Sequence, residues 1–187
     1  MTNMNIVCFH TCKNTRDRSK ILRNVPFLSK PTGQWLGQGR YFWTDSVHFA
    51  HIWGEERYGT QYVITKFDIN IPRPLFLDLV GNVDDQLTFQ RKLDEHAVLI
   101  QELVGMGKIP EAPVGKAYSV STVITQLRNS GKFPFKAVKA HDISSQDTQQ
   151  LLFVDGRHEK LHIPTRQQLV LYVDGRQYLS KPEWIHP

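Results

Sequence analysis

The spacing of apolar residues changes along this chain, and that change limits the folds open to it. Residues 61–71 alternate, with Val63, Thr65, Phe67 and Ile69 on one side and Tyr62, Ile64 and Lys66 on the other. That period predicts a strand, ended by Pro72 and Pro74. After Gly81 the step lengthens. Phe89, Leu93, Ala97, Ile100 and Val104 recur every three or four residues, which predicts an amphipathic helix that Gly105 and Gly107 stop. Pro110 and Pro113 mark the following loop, and a second helix is expected from Ser119, with Val120, Val123, Ile124 and Leu127 on one stripe. Strand patterns return at 135–142, 150–156 and 167–175, the last two closed by Asp-Gly turns. Residues 4–10 read as a strand ending at His10, and 40–44 and 75–79 as shorter ones. Strands therefore bracket a helical middle, without strand–helix–strand alternation. This order predicts an α+β fold with a mostly antiparallel sheet. At 187 residues and 40% hydrophobic, the chain is expected to form one domain over 1–187.

Charge is unevenly placed. The whole chain carries +5, but residues 1–40 hold seven Lys and Arg against Asp17 alone, a net of +6. Such a segment suits phosphates, whether of a dinucleotide or of a nucleic acid; the competing reading is a solvated loop and helix face. Cys8 and Cys12 are too few for a disulfide framework and lack zinc-type partners, so they are read as small apolar residues in a reducing cytosol. The eight His are dispersed; His48 and His51 lie one helical turn apart without acidic or Cys ligands at usual spacing, so no metal is expected. The N-terminal residues do not read as a signal peptide, and no apolar run of about eighteen residues occurs. The expectation is a cytoplasmic, bacterial protein without a membrane partner.

The most informative segment is 36–45, LGQGRYFWTD. Gly37 and Gly39 allow sharp bending and close approach of a ligand to the backbone. They are not a GxGxxG fingerprint, because the third glycine is missing and the segment leads into a strand; no GK[ST] follows either. Alternation puts Phe42 opposite Tyr41 and Trp43, as a core residue. Asp45 is placed as N-cap of a helix over 46–54, with Val47, Ala50 and Trp53 on one face. Trp35 is read as either a lid or a hydrophobic plug.

The block from Gly37 to Asp45 resembles the G-x-G-x-Y-F-x-x-D block of the ADP-ribosyltransferase superfamily, in its diphtheria-toxin-like and poly(ADP-ribose)-polymerase-like branch. The Phe9-His10-Thr11 sequence lies 31 residues before Tyr41, in the order that family has for the histidine of its first core strand. The run from Trp35 with Phe49, Ala50 and Trp53 on the next helix, the LFLDL strand and FKAVKAHD resemble a bacterial, phage-linked group within it. The resemblance implies a split antiparallel sheet with flanking helices, and NAD as co-substrate. It implies that Tyr41 stacks on nicotinamide and that His10 bonds the adenosine ribose. Thr11 then presents backbone groups to the carboxamide, and Gly37, Gly39, Phe49 and Trp53 complete the dinucleotide site. Arg18, with Arg16 or Arg23, faces the pyrophosphate.

Most of the superfamily starts a late strand with a catalytic glutamate, whose carboxylate stabilises positive charge at the ribose. The strand here begins T165-R-Q-Q. The position is read as Gln168, or Gln167 if the register slips by one, since a slip reverses the face. The competing reading is two solvent-facing polar residues. Glutamine orients a ribose by hydrogen bonds but brings no full charge and no general base. Glu159, Asp155 and His158, or Glu55 and Glu56, are the carboxylates and base considered in its place.

The expected function is mono-ADP-ribosyl transfer from NAD to a macromolecule, by the toxin half of a toxin–antitoxin or phage-defence module, with an antitoxin protein as partner. RNA is favoured over DNA as acceptor, from the basic N-terminal third and the patch Arg128, Lys132, Lys136 and Lys139. The alternatives are transfer to protein, and a module that binds NAD or ADP-ribose without turnover. An RNA 2′-phosphotransferase-like activity on the same fold is disfavoured, because the extra basic RNA-binding lobe expected of that family is missing from the sequence.

Overall fold

The computed structural model describes residues 2–108, 119–142 and 163–187. The two longest strands form its centre. β1 (Asn3–Lys13) and β3 (Tyr62–Pro72) pair antiparallel over their whole length, from Asn3↔Pro72 to Lys13↔Tyr62. This pairing carries β1 three residues beyond the end expected at His10. His10 therefore sits inside a strand, opposite Thr65.

Around this pair lie β2 (Arg40–Thr44), β4 (Phe76–Asp78), β5 (Ala137–His141), β6 (Gln167–Leu171) and β7 (Glu183–His186). The seven-stranded sheet has the order β4-β5-β6-β2-β1-β3-β7. Every neighbouring pair is antiparallel except β4 and β5. The sheet is mostly antiparallel as expected, but this parallel pair is one strand–helix–strand unit that the reading did not include, because the helical middle is the link between β4 and β5. A parallel pair needs a crossover of at least a dozen residues, and the helices supply it. β7 had no counterpart in the sequence reading; at four residues it is too short for alternation to stand out. The expected strand at 150–156 lies outside the described residues.

Among the described residues four α-helices flank the sheet. α1 (Arg18–Asn24) is capped by Asp17, whose side chain accepts from the Lys20 N–H. α2 (His48–Tyr58) starts later than expected and without Asp45 as cap. Asp45 instead sits at φ +67° and its carboxylate accepts from Lys139 Nζ at 2.9 Å. α3 (Val83–Gly105) is capped by Asn82, and α4 (Val120–Asn129) by Ser119. Along α3 the buried line is Asp85, Phe89 and His96, while Ala97 is exposed. Phe89 and Leu93 of the expected stripe pack in the core, but His96 takes the buried place read for Ala97, because it bonds Gln126 of α4 at 2.6 Å.

The core falls into three groups. Phe42, Phe67, Phe76, Leu169 and Leu171 pack with Ile21 and Val25 of the α1 region. Val138 and Val170 pack with Phe89 of α3 and with Val123, Ile124 and Leu127 of α4. Phe9, Trp43, Tyr62 and Ile64 pack with Phe49 and Ala50 of α2. Both cysteines are buried free thiols, and burial pushes Cys12 up to about 11. No helix among the described residues is long and apolar enough to cross a membrane.

Gly39 is set by this packing. A Cβ there would collide with Val170 Cγ2 and stand 3.0 Å from the Leu171 carbonyl oxygen, so β2 and β6 approach only because the side chain is absent. Overpacking of this kind costs about 1–3 kcal/mol. Gly39→Ala is expected to lower the unfolding free energy by about 2 kcal/mol in urea denaturation; an unchanged midpoint would show that the contact yields without cost.

Candidate active site

β1 and β2 pair at Cys8↔Thr44 and Phe9↔Trp43, the full extent of their ladder. At the next residue of β1 a side chain takes over the link. His10 Nδ1 lies 3.0 Å from the Tyr41 carbonyl oxygen, and the Phe27 N–H donates to His10 Nε2 at 3.3 Å. A carbonyl only accepts and an N–H only donates, so the imidazole is the neutral Nδ1–H tautomer. Burial pushes His10 down to about 4, against the upward pull of the bond to Tyr41. The phenyl rings of Phe27 and Phe42 enclose it at 6.0 and 5.9 Å. Both ring nitrogens are thus spent inside the protein. The ribose bond expected of His10 finds no nitrogen here, and the side chain acts as a brace between β1, β2 and the loop after α1.

A cleft of about 370 Å³ opens at this parting of the strands. Its aromatic walls are Trp35, Tyr41, Trp43 and Trp53, and Gln168 supplies a polar group. Four separate segments therefore bring together His10, Thr11, Tyr41, Trp53 and Gln168. Tyr41 is held from its far end: its hydroxyl donates to the Gly37 carbonyl at 2.8 Å and accepts from the Leu36 N–H at 3.1 Å. Burial pushes the phenol up to about 12 despite the Leu36 bond, so the ring is a fixed neutral wall. Gly37, at φ +83°, makes the turn that aims those backbone groups at the tyrosine.

The choice between the glutamines is decided by register. Gln168 lies opposite Trp43 of β2 and Ala140 of β5, lines the cleft, and accepts from Trp35 Nε1 at 2.8 Å. Gln167 points away and donates through Nε2 to Thr165 Oγ1. Trp35, though 38% exposed, is tied across the mouth of the cleft by that bond.

Other expected contributors lie elsewhere. Gly37 and Gly39 serve the turn and the packing of β2 on β6 and do not line the cleft. Phe49 is buried behind the wall, 5.9 Å from Trp43, where it supports that ring. Thr11 lines the cleft, but its hydroxyl donates to the Ala50 carbonyl at 2.9 Å and so binds β1 to α2. Arg16, Arg18 and Arg23 are exposed and none lines the cleft; the Arg18 guanidinium lies 4.9 Å over the Trp184 ring. Glu55 and Glu56 are exposed outside the cleft, and Asp155, His158 and Glu159 fall outside the described residues. Of the basic patch, Arg128 and Lys136 share Asp174 and Lys139 pairs with Asp45, so two carboxylates offset two of its four charges. Among the described residues no group of three His, Cys, Asp or Glu side chains is placed to hold a metal ion.

Three residues that line the cleft, Gln34, Asp142 and Arg166, had no part in the sequence reading. Asp142 follows β5 and Arg166 precedes β6, where the Asp142 N–H donates to the Arg166 carbonyl at 2.8 Å and prolongs the pairing of the strands. Their side chains form an ion pair at 3.3 Å, 15% and 11% exposed, and the Arg166 guanidinium lies 5.0 Å over the Trp43 ring. The available signal was the two-residue period: Arg166 is two before Gln168, on the same face, and Asp142 is two beyond Ala140.

The chain matches no protein-family model, no curated protein and no solved structure at a significant level.

The brace makes stability depend on pH. Above 6.5 His10 is neutral in both the folded and unfolded chain, and its contribution is complete. As pH falls below 6.5 the unfolded chain takes up a proton that the folded chain refuses until about 4, so stability falls with acidification across that window. The loss attributable to His10 is about 3 kcal/mol. Urea denaturation at pH 7 and pH 4.5 should show His10→Gln losing less stability than the parent on acidification; equal losses would remove His10 from the account.

Proposed function

We propose that this protein is a mono-ADP-ribosyltransferase that cleaves NAD and moves ADP-ribose to a macromolecular acceptor, RNA before DNA. The observation that carries the reading is the convergence of His10, Tyr41, Trp53 and Gln168 on one aromatic cleft where β1 and β2 part. The cleft's volume falls in the range of small-molecule sites. The resemblance implies an ADP-ribosyltransferase-like split sheet, and the parting of β1 from β2 is in keeping with it. In this reading Tyr41, clamped by Leu36 and Gly37, offers its π-face to the nicotinamide pyridinium. Gln168 gives up its bond to Trp35 and orients the ribose. His10 contributes by holding the cleft open in its neutral form rather than by touching the dinucleotide.

The acceptor class rests on the basic N-terminal third, where Arg16, Arg18, Lys20 and Arg23 are all exposed. Trp35, at the mouth, is exposed enough to stack on an unpaired base. With this activity the protein suits the toxin half of a bacterial toxin–antitoxin or phage-defence module in the cytoplasm, with an antitoxin as partner. A second reading, a module that binds NAD or ADP-ribose without turnover, is favoured by one specific observation: the late-strand position holds an uncharged glutamine already engaged by Trp35.

The test is incubation with labelled NAD, total RNA, single-stranded DNA and lysate, following free nicotinamide and label. Tyr41→Ala is expected to lower nicotinamide release by about 100-fold or more, and the label should sit on nuclease-sensitive material. Label that survives nuclease would reassign the acceptor to protein. NAD binding without nicotinamide release from any mixture would leave the binding module.

A further inference from the structure

Two arginines beside β2 have no counter-ion among the described residues. Arg40 opens β2 and pairs with Leu171 of β6, so its side chain shares a face with Leu171 and Phe42, opposite Tyr41 and outside the cleft lining. Arg40 is 8% exposed, yet its Nε and Nη1 are buried without a hydrogen-bond partner. Nη2 lies outside that buried set, so one edge of the guanidinium reaches solvent. None of the ion pairs among the described residues includes Arg40. The charge it does feel has the same sign: burial, and then the Arg176 guanidinium, push Arg40 down from its ordinary value.

Arg176 is brought there by packing. It is an exposed residue of the 3-10 turn Val173–Tyr178 that follows β6. The turn sits down at Gly175, where a Cβ would stand 2.8 Å from Cδ1 of Leu171, the side chain beside Arg40. Arg176 too stands outside every ion pair among the described residues. A buried cation without a partner is costly, and a second cation beside it adds to the cost. An anion that reaches both guanidinium groups removes both penalties. The donors say which anion. A carboxylate spends its two oxygens on one guanidinium fork, whereas a tetrahedral phosphate has oxygens to spare for a second.

We propose that Arg40 and Arg176 form a phosphate-binding site on the face of β2 opposite Tyr41. Arg40 is the buried anchor whose fork orients the phosphate, and Arg176 is the exposed arm that closes on it. The site is separate from the aromatic cleft and independent of the transferase reading. α1 packs through Ile21 into the same group as Phe42 and Leu171 and carries exposed Arg18, Lys20 and Arg23, so a polyanion held at Arg40 meets further positive charge. The same chemistry takes a free phosphate, a nucleotide or a nucleic-acid backbone.

The full chain is melted without NAD, at fixed ionic strength, in low-millimolar inorganic phosphate, sulfate, acetate or chloride. Arg40→Met keeps the length of the side chain without its charge, and Arg176→Gln changes an exposed position. Phosphate and sulfate are expected to raise the Tm of the parent by about 2–4 °C, and acetate and chloride to leave it unchanged. Without phosphate or sulfate, Arg40→Met should melt no lower than the parent, because an apolar side chain needs no partner, and phosphate should not shift it. Arg176→Gln should need several-fold more phosphate for the same shift. If Arg40→Met does not fold, Arg176→Gln decides. Single-stranded RNA and a nucleoside monophosphate are then compared. A shift from RNA that the variants lose, at lower concentration than free phosphate, assigns the site to a nucleic-acid backbone; one from the mononucleotide alone assigns it to a small ligand. A parent that phosphate does not shift overturns the site and leaves Arg40 hydrated. An equal shift in the parent and both variants also overturns it, as a general effect of anions on the fold. With NAD left out, neither result touches the transferase reading.

Discussion

The imidazole of His10 carries a load that backbone hydrogen bonds carry elsewhere in the sheet. β1 is committed to β3 along its full length, but its ladder with β2 ends at Phe9 and Trp43. One residue on, the His10 ring spans the gap, donating to Tyr41 and accepting from Phe27. The strands part around this ring, and a cleft forms where a continuous sheet would have been solid. A charged imidazole would lose the Phe27 bond, since Nε2 would then carry a proton. The neutral state imposed by burial is therefore part of the architecture.

Around that opening the wall is rigid for reasons that lie outside it. Tyr41 is pinned by the turn at Gly37, and that turn is reached only because Gly39 lets β2 settle against Val170 and Leu171. Trp43 rests on Phe49 of α2, with the Arg166 guanidinium over its ring. The pair of Arg166 and Asp142 closes the β5–β6 side. Residues from β1, β2, α2 and the ends of β5 and β6 thus meet in one place, each held by a partner behind it. Such second-layer support is what holds side chains in a fixed arrangement around a ligand.

Much of this was legible in the chain and some was not, and particular residues show why. Alternation in RYFWT put Phe42 in the core and Tyr41 on the other face, as found. The same two-residue period limited the glutamines to one on the cleft face, though only the pairing of Trp43 with Gln168 chose which. Asp45 was misplaced because a helix cap is a local inference, whereas its carboxylate is taken by Lys139, 94 residues away. Along α3, Phe89 and Leu93 face the core as expected, but apolarity alone chose Ala97 where His96, bonded to Gln126, is the buried residue. Phe49 and Arg18 were assigned to a ligand by position along the chain, and their partners, Trp43 and Trp184, lie in other segments.

By itself the sequence determined the strands β1 to β6 and the helices α2, α3 and α4, though not β7, because periods of two and of three to four are written in neighbouring residues. It also singled out 36–53, a segment that supplies Tyr41, Phe42, Trp43 and Trp53 to the cleft lining. Tertiary structure decided which polar groups remain available. It spent both nitrogens of His10, turned Gln168 inward, and brought Asp142 to Arg166 across 24 positions of chain. The division has a physical cause. Secondary structure follows from the local backbone and the spacing of apolar side chains. The burial of a side chain, and so its protonation and its hydrogen-bond partner, depends on which distant segment packs against it.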